Sequence, residues 1–255
     1  MSFNMQTKKI PIKLGKEPLV DVVCGVNLVC NQSIEAILPG VLLKALEGKK
    51  LKFEPTPIGA LPQAVRASNP ALQNAPLMRI TVDEQFVALV GEKSLGVGCQ
   101  MPYAGWRDFK KMIETAFNSL RGIELVRGIE RHYVKYVDLL PEDARSSALQ
   151  RFNIDISVAG RKLNNEVTTL QSEISDGKYM HTVVIASQAT VTRPNLPTLT
   201  GALINVETRC SDEVSIDSFM QRMPELLDDI HAANKQFFFS LLSDSGLAEL
   251  EPHYA

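Results

Sequence analysis

The stretch IELVRGIERHYVKYVDLL, residues 123–140, decides how the rest of the chain is read. Polar and apolar side chains alternate through much of it, as in Tyr133, Lys135 and Val137. That is the period of a strand in an antiparallel sheet with one face in water. Downstream, FNIDISVAG (152–160), EVTTLQSEI (166–174), MHTVVIASQATVTR (180–193) and GALINVETRC (201–210) read as strands of the same kind. The chain then turns helical from Ser215, with an apolar stripe of Leu226, Leu227, Ile230, Phe237, Leu241 and Leu242 at three-four spacing. Pro224 is expected in the first turn of the main part of that helix, where a proline is tolerated.

Upstream of residue 123 the same alternation of strands and helix occurs. Leu19 to Val29 is a nearly continuous apolar run, suited to a strand covered on both faces. Ser33 offers an N-cap to a helix through about Leu46, ended by Gly48 and broken or kinked at Pro39. A short strand over Leu51–Pro55 leads into an irregular stretch carrying Pro55, Pro57, Pro62, Pro70 and Pro76, the best candidate for a mobile loop. LMRITV, FVALVG and SLGVGC then read as a meander of tight hairpins. An amphipathic helix follows over Ala104–Leu120. The fold class is therefore α+β: two antiparallel sheet units, each closed by a helix, over residues 1–122 and 123–255. One continuous curved sheet in a single compact domain is the alternative.

Composition narrows the function. The chain has 255 residues, 45% hydrophobic, with 27 basic and 29 acidic side chains and a net charge of −2, so a sizeable core forms without disulfides or metal. No apolar run approaches membrane-spanning length, and the N-terminus lacks the apolar stretch and cleavage site of a secretory signal, so a cytoplasmic protein without membrane contact is expected. Cys24, Cys30, Cys99 and Cys210 lie in apolar runs without Cys-x-x-Cys spacing and read as buried hydrophobes. The glycines of Gly96-Val97-Gly98 lack the third glycine and the adjoining helix of a phosphate loop. His132, His181, His231 and His253 have no metal-ligand spacing, so neither metal nor cofactor is expected. The pairs Glu142-Asp143, Asp212-Glu213 and Asp228-Asp229 sit in polar contexts and read as solvated surface. No residue pattern marks a catalytic centre.

Two surfaces stand out. In strand register Arg127, Arg131, Tyr133 and Lys135 share one face, a row that could grip phosphates and stack a base. The plainer reading is a wet sheet face whose cations pair with Glu166 or Glu173 on neighbouring strands. The second surface is the C-terminal helix. From Ser211 onward nine acids face only Arg222 and Lys235, a local balance of −7, which leaves the preceding chain at +5. Phe237, Phe238 and Phe239 cannot all point into one stripe, so at least one needs a second surface, from the fold or from another chain. With Asp228, Asp229 and His231 they form a candidate interface.

Lys16 to Val23, the stretch Tyr103-Ala104-Gly105-Trp106-Arg107-Asp108-Phe109, the strand around His132-Tyr133-Val134-Lys135, and Ile230 to Phe237 occur in an order that resembles a sporadically distributed, uncharacterised family of bacterial proteins of about this length. The resemblance covers essentially the whole chain, and Tyr-x-Gly-Trp-x-x-Phe is its most specific element. The family usually carries an Arg-Tyr-Ile-Asn-like run in the long strand, of which this chain keeps only the tyrosine. Membership implies no activity; some members resemble accessory genes of mobile or phage-defence neighbourhoods. Tyr103 and Trp106 read either as anchors of the helix in the core or as a stacking surface for a ligand. The expectation is a non-enzymatic protein that binds a partner protein or itself, in an anti-phage defence or toxin-neutralising setting. Nucleic-acid or nucleotide binding through the basic sheet face is the alternative, and an enzyme of unknown chemistry the second.

Overall fold

Leu19–Cys30 (β1) forms the strand its apolar run predicts, and Val22, Cys24, Val26 and Leu28 on one of its faces are all buried. In the computed structural model, which describes residues 9–142, 147–164, 166–192 and 197–254, the chain is α+β with antiparallel strand pairings. The lysine-bearing start of the N-terminus through Lys8, and Asp143 of the Glu142-Asp143 pair, lie outside the described residues. Two compact units are present: unit A is Asp21–Val134 with Arg209–Ile230, and unit B is Met1–Val20, Lys135–Thr208 and His231–Ala255. Both are assembled from separated stretches, so neither is a contiguous half of the chain.

Unit A is built on the meander. After β1 come a helix, Leu38–Ala45 (α1), and the strands Leu51–Pro55 (β2), Met78–Val82 (β3), Phe86–Val90 (β4) and Ser94–Cys99 (β5). The strands lie in the order β1, β5, β4, β3, β2, which leaves β2 at the edge. Asp83 and Glu84 take left-handed φ values of 49° and 60° in the β3–β4 hairpin, and Asp83 Oδ1 accepts the Lys50 backbone N–H at 2.9 Å. Side-chain hydrogen bonding to the backbone favours aspartate in such turns. The helix Trp106–Asn118 (α2) lays Phe109, Met112, Ile113, Ala116 and Phe117 into the core, as its spacing predicts.

Helix α1 corrects the expectation of a helix capped at Ser33. It starts at Leu38, with Pro39 in its first turn, where the missing N–H costs no intrahelical bond. The proline therefore sets the helix start instead of interrupting it. The proline-rich stretch also carries more structure than predicted. It holds a helical turn over Gln63–Ala67 and is tied down by Thr56 Oγ1 donating to Pro76 O at 2.6 Å and by Arg66 reaching Glu92 at 3.2 Å.

The long strand Val126–Pro141 (β6) contributes its first nine residues to unit A and its remainder to unit B. In unit B the order runs Thr169–Asp176 (β7), Tyr179–Val191 (β8), Leu199–Cys210 (β9), β6. FNIDISVAG does not form the strand its alternation suggests. Ser157–Val158 pairs with Arg161–Lys162 across a turn with left-handed Ala159 and Gly160, and Phe152 makes an isolated antiparallel bridge to Leu242. Asn153 explains the departure: its side chain donates to the carbonyls of Ser240 and Leu242 at 2.9 and 2.8 Å, and its backbone N–H to Leu241. The segment is thereby bound to a helix end instead of a ladder.

That helix, Ile216–Leu241 (α3), is continuous through Pro224. The expectation of a first-turn proline fails because Phe219, Met220 and Met223, all buried, hold the preceding turns in place. Pro224 itself is exposed, and its missing N–H leaves the carbonyl of Met220, four residues back, without its intrahelical bond. A short helix, Asp244–Glu249 (α4), closes the chain, with Ser243 Oγ accepting the Gly246 N–H at 3.1 Å as its N-cap. Among the described residues no helix is long and apolar enough to cross a membrane.

Candidate functional site

Trp106 and Asp228, separately singled out in the sequence, meet in unit A. The indole Nε1–H donates to Asp228 Oδ1 at 2.8 Å, and Lys110 Nζ lies 2.7 Å from Oδ2. Gly105, at φ 84°, lets the chain turn sharply into α2, and Tyr103 and Trp106 set their rings edge-on to buried Phe109 at 5.9 and 6.2 Å. The Tyr-x-Gly-Trp-x-x-Phe motif thus builds a latch: the tyrosine and tryptophan rings both pack on the phenylalanine, and the polar edge of the indole reaches α3.

Arg127, Arg131 and Tyr133 stand on β6 within unit A, and Lys135 follows in unit B. Tyr133 is half-buried, and its ring lies so close to Gly25 of β1 that a Cβ there would come within 2.5 Å of the phenol carbon and oxygen. The ring is spent on that contact. Arg127 is exposed, whereas Arg131 is half-buried with its Nε in the interior lacking a hydrogen-bond partner. Of the acids expected opposite, Glu173 bonds the hydroxyl of Thr182, its register partner on β8, at 3.3 Å.

The second surface that Phe237, Phe238 and Phe239 require comes from within the fold. All three are buried in the core of unit B with Val183, Ile185, Ile204, Val206 and Leu242. They are not an exposed interface. Phe237 stacks on His181 with ring centroids 4.1 Å apart and planes at 6°. His181 Nδ1 lies 2.9 Å from Thr208 Oγ1, which also accepts from Asn234 Nδ2 at 3.0 Å, and His181 Nε2 lies 3.9 Å from Asp176. Hydroxyl, imidazole and carboxylate in series have the composition of a nucleophile, base and orienting acid. Thr208 and His181 are both fully buried, however, so a substrate has no route to the hydroxyl. Burial holds the His181 pKa below its ordinary value, with Asp176 pulling the other way, and the ring works as a neutral core group.

Nearby in unit B, Tyr136 Oη lies 3.0 Å from His231 Nδ1. Two residues along β6, Asp138 is buried, and burial reinforced by the charge of Glu17 pushes its carboxyl up to about 8. Burial thus favours its protonated, neutral form. Burial likewise pushes the Cys24 thiol up to about 12, and all four cysteines are buried and unpaired in disulfides. Among the described residues no cluster of His, Cys, Asp and Glu could hold a metal ion.

Among the described residues of unit A, Ile37, Leu43, Phe53, Leu61 and Val65 are exposed large apolar side chains, and Phe53 lies on the edge strand β2. Leu43 of α1 is 54% exposed and Phe53 of β2 42% exposed. Leu43, Leu46 and Leu51 line a hollow of about 370 Å³ rimmed by Lys44, Glu47 and Lys49. None of these residues was singled out from sequence. The alternation of Leu51 and Phe53 with Lys52 and Glu54 was the signal, but only strand order shows that this strand has one vacant side. No protein-family model matches the chain, and no curated protein is significantly similar to it.

Proposed function

We propose that the protein is a non-enzymatic interaction module that binds a protein, either a partner or a second copy of itself, in the cytoplasm. The observation that carries this reading is the apolar β2 edge: Phe53 and Leu43 are exposed beside a hollow lined by leucines, on a strand at the end of its sheet. Apolar surface gathered at one place and rimmed by charge is typical of docking surfaces. The groups that could do chemistry are instead sequestered, as with Thr208 and His181. The resemblance to a sporadically distributed bacterial family, some members of which resemble accessory genes of phage-defence neighbourhoods, supports a defence setting, with toxin neutralisation as the other.

The basic-face alternative is less well supported, because Tyr133, its stacking residue, is packed on Gly25. The test is light scattering of the full chain over concentration and salt, together with capture from lysate of the native host, for the wild type and Leu43→Glu. Association that is lost in the variant supports the reading. A strict monomer that recovers no partner overturns it.

A further inference from the structure

The backbone hydrogen bonds of β2 show which of its groups are unused. Asp83 N donates to Lys50 O, and Thr56 N donates to Leu77 O, each at 2.9 Å. In an antiparallel ladder alternate residues turn their backbone groups towards the neighbour, so Lys52 and Glu54 face β3. Leu51 and Phe53 turn both N–H and C=O outward, and Pro55 adds a C=O alone. Among the described residues no strand pairs with that side.

The sequence along this edge, Leu51-Lys52-Phe53-Glu54-Pro55, complements itself when reversed. Placed antiparallel to a second copy about a two-fold axis at Phe53, it sets Phe53 against Phe53, Lys52 against the other copy's Glu54, and Glu54 against the other copy's Lys52. Phe53 then exchanges N–H and C=O with its counterpart, and Leu51 N–H meets the other copy's Pro55 C=O, the one group the proline can offer. Lys52 and Glu54 fall at the positions where cross-strand side chains approach most closely. Shifting the axis to Lys52 or to Glu54 puts like charges opposite each other, so charge singles out one register. Within one chain Lys52 Nζ already reaches Glu54 Oε1 at 3.0 Å, which places both charges on the same face of the strand, ready to exchange partners.

Resting on the interaction-module reading, we infer that two copies of this chain pair through β2, antiparallel and centred on Phe53, extending the sheet of unit A across the two-fold axis. Such a pairing is isologous and closed, so it stops at two copies.

Sedimentation velocity of the full chain with Lys52→Glu and Glu54→Lys, singly, combined and as a mixture of the two single variants, tests it. Each single variant replaces two attractive cross-strand pairs by two repulsive ones, so the dimer dissociation constant should rise about 10-fold or more. The double variant and the one-to-one mixture of single variants restore opposite charges and should return to the wild-type value. Both positions are solvent-exposed enough to change without unfolding the chain, and thermal melts confirm that each variant is folded. Dimerisation indifferent to these charges, or lost in the singles and not recovered in the mixture, overturns the pairing. A wild-type monomer at all concentrations that still captures a host protein through Leu43 overturns the pairing while leaving the interaction reading intact.

Discussion

Trp106 donates its indole N–H to the carboxylate of Asp228 at 2.8 Å, joining residues 122 positions apart in the chain. Lys110 completes the contact at 2.7 Å on the second carboxylate oxygen. The aromatic motif of α2 and the acidic stretch of α3 are thus two halves of one structural contact. Replacing Trp106 by Phe, or Asp228 by Ala, should each destabilise the fold by about 1 kcal/mol in urea unfolding, because Asp228 is exposed and water recovers part of the loss. The double variant should lose less than the sum of the two single losses, since both single changes remove the same bond.

A second prediction concerns Gly25 and Tyr133. A methyl group at Gly25 would collide with the Tyr133 ring, so Gly25→Ala should cost about 2 kcal/mol or more. Adding Tyr133→Leu should recover part of that loss, and urea denaturation of the three variants checks it. If the strand face bound nucleic acid through Tyr133, the leucine variant alone would lose binding to short RNA at low salt. The packing predicts no change.

Asp138 makes stability depend on pH in a definite direction. Its folded pKa of about 8 lies above its ordinary 3.8, so its neutral form favours the fold fully below pH 4, and that contribution is lost as pH rises through 8. Between those limits it lowers stability by up to about 1.4 kcal/mol per pH unit. Asp138→Asn keeps the neutral form at every pH. Its melting temperature should therefore gain on the wild type as pH rises from 5 to 9, and a constant difference would contradict the assignment.

His181 acts in the opposite sense. Its pKa is depressed by burial, so the folded chain resists protonation and loses stability as pH falls below the unfolded histidine value of 6.5. Phe237→Ala removes the stacked ring and should cost about 3 kcal/mol or more, measured by denaturant unfolding.

Much of this architecture is legible in the sequence, and the exceptions have physical causes. The apolar run of β1, the strand Leu51–Pro55, the hairpin meander and the amphipathic α2 follow from local periodicity, and each forms close to its expected place. Local periodicity fails where a long-range contact overrides it. Asn153 ties an alternating segment to a helix end, and buried Phe219 and Met223 carry a helix through Pro224. Candidate residues fared unevenly for the same reason. Burial of Phe237, Phe238 and Phe239 and the meeting of Trp106 with Asp228 depend on which elements become neighbours. The vacant side of β2 is likewise a property of strand order, which the alternation in Leu51-Lys52-Phe53-Glu54-Pro55 does not by itself reveal.

The proposed meeting of this protein with another chain at the β2 edge would cover backbone groups that are vacant in the single chain. The most direct measurement is amide hydrogen exchange at Leu51 and Phe53, whose N–H groups point away from β3, followed from dilute to concentrated protein. Protection of these two amides should rise with concentration, while Lys52 and Glu54, already bonded to β3, change little. Exchange at Leu51 and Phe53 that stays the same at every concentration, and with a captured host protein added, would contradict it.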